Sequence, residues 1–208
     1  MRPFFLLLLL LASVFTHAQT EGTTTLYFPE VGWSIAVPNK FQMLDSALAR
    51  QMQMRGFKAI SEAYNQPINA IPYTTLLAIR PSLTNYIDAV LNPFDPKVDG
   101  DWNESSSKVH QIVTYTFQQK APEAKIDTAT TQEKIGGINF KRFTLNLELP
   151  GNNGTLKMLM YTALIRGYDF AVNILYVTKD EAIGKEFLDM WRKSEFNLRF
   201  TPPKIKPN

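Results

Sequence analysis

The sequence predicts an α+β fold, a three-layer α/β/α sandwich with a mainly antiparallel central sheet. Consecutive β-prone runs joined by short turns fill residues 139–177, and two of these runs are apolar on both faces. A strand that is apolar on both faces must be covered on both faces. Segments with helical periodicity occur before and after these runs, so we expect helices on both sides of the sheet.

The N-terminal part of the mature chain supplies short strands and one long helix. Residues 23–27 and 33–37 are β-prone runs separated by a proline- and glycine-containing turn. Residues 45–64 carry apolar side chains at mostly helical spacing, and Asp45 or Ser46 is suited to cap this helix. Gly56 is a poor helix former and is the expected weak point of the helix.

The middle of the chain alternates β-prone and helical segments. Residues 73–79 predict a strand bounded by prolines. Ser82 is placed to cap a short helix that continues to Leu91. Residues 92–105 are rich in Pro, Asp and Gly and predict a loop, and a helix over 104–119 follows it.

A hairpin leads from a threonine-rich strand over 124–131 into the sheet. Gly136-Gly137 is typical of a two-residue hairpin turn. In the next strand, 139–149, apolar and polar residues alternate strictly, which predicts one buried face and one solvated face near an edge of the sheet.

Two further strands and a helix complete the predicted fold. The strands at 156–166 and 170–177 are apolar on both faces. Thr178 to Glu181 match a capping box, which marks the start of a helix. The helix carries an apolar stripe of Ile183, Phe187, Met190 and Trp191.

The N-terminus predicts export. Arg2 precedes an apolar run that is too short to span a bilayer, and small residues precede Gln19. We expect a signal peptide over 1–18, a single α/β domain over 19–201 and a disordered proline-rich tail over 202–208; an uncleaved membrane anchor is the alternative. The absence of cysteine in an exported chain favours a bacterial periplasmic or secreted protein.

Composition excludes several kinds of chemistry. The chain has 22 basic and 19 acidic residues, a balance that indicates neither nucleic acid nor an anionic membrane as partner. It has no cysteine, and His110 is the only histidine after the predicted signal peptide. Zinc sites with several Cys or His ligands and thiol catalysis are therefore excluded, and no phosphate-binding glycine loop occurs. We expect no cofactor and assign no catalytic residue.

An acidic segment in the predicted loop partly matches a calcium site. Asp99, Asp101 and Asn103 occupy the first, third and fifth positions of a calcium-binding loop. Glu104 stands where glycine is needed, and His110 stands where a bidentate glutamate closes the site. A non-standard calcium site made of Asp99, Asp101, Asn103 and Glu104 is one interpretation, and an acidic turn that caps the next helix is the other.

Aromatic residues at turns are the candidate binding residues. Trp33, Trp102 and Tyr168 fall at turns or loop ends, and Arg166 lies beside Tyr168. Aromatic side chains with a nearby arginine suit contacts with a protein or a glycan. The same aromatic residues also suit the ends of the sheet as core, so both interpretations remain open.

The order of elements and turns resembles a known family. The residues that carry the likeness are Gly32 to Pro38 with Phe41, Ile135 to Ile138, Tyr161 through Phe170, and Ser194 to Phe196. They resemble the exported bacterial branch of the PsbP-like (Mog/PsbP-type) family of α/β/α sandwiches. The resemblance implies an accessory or binding role through protein partners, and none of these residues is a shared catalytic group.

Two functional hypotheses follow. The first is an exported, non-enzymatic accessory or binding module that contacts a protein or another envelope component. The second is a small exported hydrolase that uses carboxylates from the acidic loop. A deep polar cleft with converging acids would favour the second hypothesis, and a shallow surface would favour the first.

Overall fold

The computed structural model describes residues 22–67, 73–148, 151 and 154–199. The predicted signal peptide and the predicted tail lie outside these residues, and the domain limits 19–201 stay a prediction. In the described part of the chain, no helix combines the length and the apolar character needed to cross a membrane.

Nine strands and four helices make up the described chain. In chain order they are β1 (Thr23–Phe28), β2 (Trp33–Pro38), α1 (Ser46–Tyr64), β3 (Thr74–Ile79), β4 (Tyr86–Pro93), α2 (Pro96–Asp99), α3 (Trp102–Lys120), β5 (Lys125–Ile135), β6 (Ile138–Glu148), β7 (Thr155–Ile165), β8 (Tyr168–Val177), α4 (Glu181–Arg192) and β9 (Glu195–Phe196).

The central sheet has six strands in the order β3-β4-β8-β7-β6-β5, and every neighbouring pair is antiparallel. A second, three-stranded sheet has the order β1-β2-β9. Gly136-Gly137 joins β5 to β6 as predicted, and Arg166-Gly167 joins β7 to β8. The residues of both turns have positive φ angles, as two-residue hairpins of this kind require.

Helices cover both faces of the central sheet. One face packs against α4 and the small sheet, and Trp33, Phe140, Phe170 and Trp191 meet there in a cluster of aromatic rings. The opposite face packs against α3, whose Val113 contacts the buried side chains of β6. Helix α1 lies beside α3 and next to β3 on this side. The predicted three-layer sandwich is confirmed.

The alternation predicted for β6 is also confirmed. Phe143, Leu145 and Leu147 are buried beneath α3, whereas Arg142 and Thr144 on the other face are only half-buried. β6 lies next to the edge strand β5, so its polar face is near an edge of the sheet.

The prediction of a helix over residues 82–91 is wrong. This segment forms a turn and then β4, and five consecutive residues, 87–91, are buried. A short apolar run that is buried on both faces has no period that separates a strand from a helix. Ser82 is not a helix cap. Its Oγ accepts from the Asn85 backbone N–H at 3.1 Å, within the turn that precedes β4.

The loop predicted over 92–105 is shorter than expected. The last two residues of β4, the short helix α2 and the first residues of α3 all lie within that range. Asp95 caps α2 and Asp101 caps α3, so the aspartates start helices rather than extend a loop.

Helix α1 continues without a break through Gly56, from Ser46 to Tyr64. One other local prediction differs from the structure. The capping box at Thr178 does not form: a 3-10 turn over Thr178–Asp180 precedes α4, and Asp180, at the N-cap, makes no side-chain cap hydrogen bond. The Thr178 hydroxyl instead accepts from the Thr155 backbone N–H at 3.0 Å, because β7 starts beside it.

Candidate functional site: a groove between α3 and β5

Trp33 is not exposed. Its side chain is fully buried and packs against Phe28, Phe170 and Trp191, with ring centroids 4.9 to 6.0 Å apart. Of the two interpretations of Trp33, its burial corresponds to the core interpretation: β2 places it on the inner side of the small sheet, against the centre of the core. Its ring contributes to packing.

Arg166 and Tyr168 lie at the turn between β7 and β8. The guanidinium of Arg166 donates to the carbonyl oxygens of Pro29 at 3.0 Å and Asn197 at 3.1 Å. It thereby joins the β1–β2 turn to the segment after β9. Tyr168 is half-buried and packs against the main core. The role of these two residues in binding stays a prediction.

Trp102 is half-buried at the start of α3. Its indole N–H donates to Oδ1 of Asp169 at 2.8 Å, and the Lys141 ammonium lies 5.8 Å from its ring centroid. Burial raises the pKa of Asp169, and the Trp102 hydrogen bond acts in the opposite direction. Trp102 therefore holds the start of α3 to β8, and its predicted binding role is untested.

Replacing Trp102 with alanine is expected to lower the free energy of unfolding by about 1–2 kcal/mol, because the Asp169 carboxylate loses its partner. Urea denaturation followed by circular dichroism measures the change. Trp102→Phe keeps the ring and loses only the N–H, and we expect it to recover part of the loss. An unchanged midpoint for Trp102→Ala would show that this contact contributes nothing to stability.

The acidic residues of the predicted calcium loop serve local structure. Asp99 Oδ2 accepts from the Asp95 backbone N–H at 2.7 Å, and Asp101 Oδ1 accepts from the Glu104 backbone N–H at 2.9 Å. The Asn103 backbone carbonyl accepts from the Ser107 hydroxyl at 2.7 Å. Within residues 22–67, 73–148, 151 and 154–199, no three His, Cys, Asp or Glu side chains cluster as metal ligands do. The described loop thus corresponds to the helix-capping interpretation.

An open groove of about 430 Å³ lies between α3 and the outer strands β5 and β6. Such a volume falls within the usual range of ligand-binding sites, ~300–1,000 Å³. Its walls are formed by Ser107, His110, Gln111, Thr114, Tyr115, Gln118, Thr128, Thr130 and Phe143. Among the described residues, no acidic side chain and no lysine or arginine lines it.

The groove exists because α3 presents polar residues where a helix on a sheet usually presents apolar ones. Ser107, Gln111, Thr114 and Gln118 recur at a spacing of four, three and four residues and so form one stripe along the helix. On the facing strand, Thr128 and Thr130 remain exposed although they are on the helix side of the sheet. Hydroxyl and amide groups therefore line an open gap between helix and strand.

His110 forms the floor of the groove. Its ring stacks on Phe143 with centroids 4.3 Å apart and an interplanar angle of 12°. Burial, and secondarily the positive charge of Lys141, lower the pKa of His110 to about 4. The imidazole is thus uncharged at neutral pH, and its Nε2 has no hydrogen-bond partner among the described residues. Although His110 lies on a helix that has an exposed side, the structure buries its side chain.

A second buried titratable group lies on the same face of the sheet. Asp88 in β4 accepts from the Tyr86 hydroxyl and from Asn173 Nδ2, each at 2.8 Å. Burial raises the pKa of this carboxyl to about 6 despite both hydrogen bonds.

These two residues are expected to give opposite pH dependences of stability. Unfolded, His110 takes up a proton near its ordinary pKa of 6.5, whereas folded it does so near 4. As pH falls from 6.5 to 4, the wild type should therefore lose stability relative to His110→Gln. Folded Asp88 binds its proton near pH 6 and unfolded near 3.8. As pH falls from 6 to 3.8, the wild type should gain stability relative to Asp88→Asn.

Urea unfolding of the wild type and both variants across pH 4–7 measures these slopes. Only the change with pH matters, since each substitution also shifts stability by a constant amount. Parallel curves for wild type and variants would contradict the assigned pKa directions.

Sequence comparison does not identify the chain. No protein-family model matches it, and no curated protein sequence matches it.

Solved structures do resemble it. The solution structure of cyanobacterial PsbP (CyanoP) from Synechocystis sp. PCC 6803 aligns with a TM-score of 0.52 at 8% identity, covering 87% of this chain and 96% of that one. LpqN of Mycobacterium tuberculosis, described as involved in cell envelope biogenesis, has a TM-score of 0.39 at 12% identity over 84% of this chain and 90% of its own.

The Ran-binding protein Mog1p of Saccharomyces cerevisiae has a TM-score of 0.42 at 12% identity, covering 85% of this chain and 96% of that one. At such identities a structural likeness reports the fold alone. The six-stranded antiparallel sheet with its helical layers and the likeness to CyanoP show that this chain has the PsbP-like fold.

Proposed function

We propose that this chain is an exported bacterial accessory protein that binds another protein of the cell envelope, and that the groove between α3 and β5 is its binding surface. The observation that carries the proposal is the described lining of the groove, which is open, uncharged, and combines hydroxyl and amide groups with the rings of Tyr115 and Phe143. Hydroxyl and amide groups bind through hydrogen bonds of defined direction. The described lining has no pair of carboxylates for hydrolysis. His110 Nε2 has no hydrogen-bond partner among the described residues, and the Ser107 hydroxyl donates to the Asn103 carbonyl, so the two are not paired as nucleophile and base.

The location of the groove supports the same function. It lies at the side of the sheet where β5 is the last strand, so a large partner can approach without entering a deep cleft. The predicted signal peptide supports export, and the balanced charge of the chain supports a partner other than nucleic acid.

Affinity capture from the envelope fraction of the native organism tests the proposal. The wild-type chain is expected to retain a specific protein, and the double variant Gln111→Ala, Gln118→Ala is expected to lose it. Both residues are exposed, so the fold should persist. Lys108→Ala is the matched control, since Lys108 is an exposed residue of α3 that does not line the groove.

Two results would overturn the proposal. One is the absence of any specifically retained protein. The other is equal retention by the wild type and the double variant, which would place binding elsewhere on the molecule.

A further inference from the structure

The hairpin geometry determines which backbone groups of β5 face outward. β5 and β6 are joined by a two-residue turn, and Ile135 pairs with Ile138 directly beside it. In such a hairpin the two residues next to the turn exchange both of their backbone hydrogen bonds. Along the two strands, pairs of this kind alternate with pairs that exchange no hydrogen bond with each other. Hence the N–H and C=O groups of alternate β5 residues point away from β6. These residues are Ile126, Thr128, Thr130, Gln132 and Lys134.

No described strand pairs with this outer side of β5. The outward-facing residues include Thr128 and Thr130, whose side chains line the groove. Thus the backbone donors and acceptors of the free edge, and the hydroxyl groups of the groove, belong to the same residues. A ligand that satisfies both must itself carry alternating backbone and side-chain groups, which is the chemistry of an extended polypeptide.

The two edge strands of the central sheet, β3 and β5, differ in how readily a further strand could pair with them. β3 is short and has an irregular register between Thr75 and Leu77, and its last residue, Ile79, forms an isolated bridge with Met43. β5 is 11 residues long, has no proline and pairs with β6 without a bulge. Its charged residues lie towards its ends, and residues 128–132 are uncharged. Edge strands usually carry bulges, prolines or central charges that prevent pairing, and β5 has none of these in its middle.

The lining of the groove limits the side chains that a paired segment can carry. A residue directly opposite Thr128 or Thr130 would point towards α3, because directly opposed side chains share a face. It would lie beside Thr128 and Thr130 at the open side of the groove, whose lining carries no acidic or basic side chain other than the uncharged His110. Burying an unpaired charge against such neutral groups is unfavourable, whereas small or hydrogen-bonding side chains fit.

We propose that an extended segment of the partner protein adds to the free edge of β5 as a seventh strand of the central sheet, with alternate uncharged polar side chains in the α3–β5 groove. This inference rests on the proposed function and names the class of partner: a protein that offers an exposed β-strand or unstructured segment rich in Ser, Thr, Asn or Gln at alternate positions. Main-chain hydrogen bonds supply affinity, and the groove supplies selectivity.

Selection of random linear peptides displayed on phage, with the full chain immobilised, tests the inference. Selected peptides are expected to carry uncharged polar residues at alternate positions. They should bind Thr130→Pro at least about tenfold more weakly than wild type, since proline removes an outward N–H. Ala129→Ser, on the opposite face of β5, is the matched control and should bind as the wild type does.

Two further measurements keep the test independent of the stability of the proline variant. Gln111→Arg leaves β5 intact and places a charge in the groove, so it should also weaken binding. Amide hydrogen exchange by NMR should show rapid exchange at residues 126, 128, 130, 132 and 134 in the free protein. The same amides should become protected when a selected peptide binds.

Specific results would overturn the inference. Equal binding to Thr130→Pro and Gln111→Arg, or no added protection along β5, would exclude strand addition while leaving a captured envelope partner as evidence for the proposed function. Concentration-dependent protection of β5 without peptide would assign the edge to a second copy of the chain. Binding of cellobiose or chitobiose that perturbs α3 but not the β5 amides would assign the groove to a glycan. Failure of the envelope capture, by contrast, would overturn the proposed function itself.

Discussion

Replacing Trp191 with alanine is expected to destabilise the protein by about 3–5 kcal/mol, the usual cost of removing a large buried aromatic side chain. Trp191 is fully buried on α4 and contacts the rings of Trp33, Phe140, Tyr161 and Phe170 at centroid distances of 5.0 to 6.3 Å. It therefore joins α4 and the small sheet to the central sheet. Its loss leaves a cavity where these layers meet.

Chemical denaturation of the purified chain measures this loss. Trp191→Phe is a milder variant that retains a ring and also removes an indole N–H that has no partner among the described residues. We expect its loss of stability to be smaller than that of Trp191→Ala. A change below about 1 kcal/mol for the alanine variant would contradict the central position of this residue in the core.

Two glycine-to-alanine substitutions in helices are expected to change the stability of the protein in opposite directions. Gly184 in α4 lies directly against the ring of Tyr176 in β8, and a β-carbon added at residue 184 would overlap that ring. Tyr176 is itself buried, so either its ring or α4 must move. Overpacking of this kind typically costs about 1–3 kcal/mol, and we expect Gly184→Ala to be destabilising by an amount in that range.

Gly56 in α1 is the matched control, because a β-carbon there meets no atom within 4 Å. Alanine is the better helix former by about 1 kcal/mol, so Gly56→Ala is expected to raise stability. Thermal melting of the two variants beside the wild type tests both. A stabilised Gly184→Ala would show that α4 is not held closely against β8.

Sequence periodicity predicts an element well when its two faces have different environments. The faces of β6 follow directly from the alternation around Phe143 and Leu145, and α4 follows from the apolar stripe that includes Phe187 and Trp191. The same reasoning fails for β4, since its buried residues are consecutive and show no period. A capping residue marks the start of a helix only when its side chain is not bonded to another segment. The Thr178 hydroxyl is bonded in this way, because it accepts from the Thr155 backbone N–H.

Local sequence patterns also do not determine which candidate binding residues are exposed. A turn position does not determine whether an aromatic ring points outward, and Trp33 points into the core because the small sheet folds over the central one. The residues of the groove carry a pattern in the sequence, a polar stripe on α3 and threonines at alternate positions of β5. Nothing in either pattern indicates that the two segments face each other, since they meet only when β5 pairs with β6 beneath the helix.

By itself, the sequence determined the α+β class, the central antiparallel hairpins and the need for helices on both faces of the sheet. These properties depend on local periodicity and on turn residues, which act between neighbours in the chain. Only the tertiary structure decided which strand ends the sheet, which polar residues line a groove and which tryptophan is buried. Those properties depend on the packing of segments that are distant in the sequence. The local pattern of one segment carries no information about which other segment packs against it.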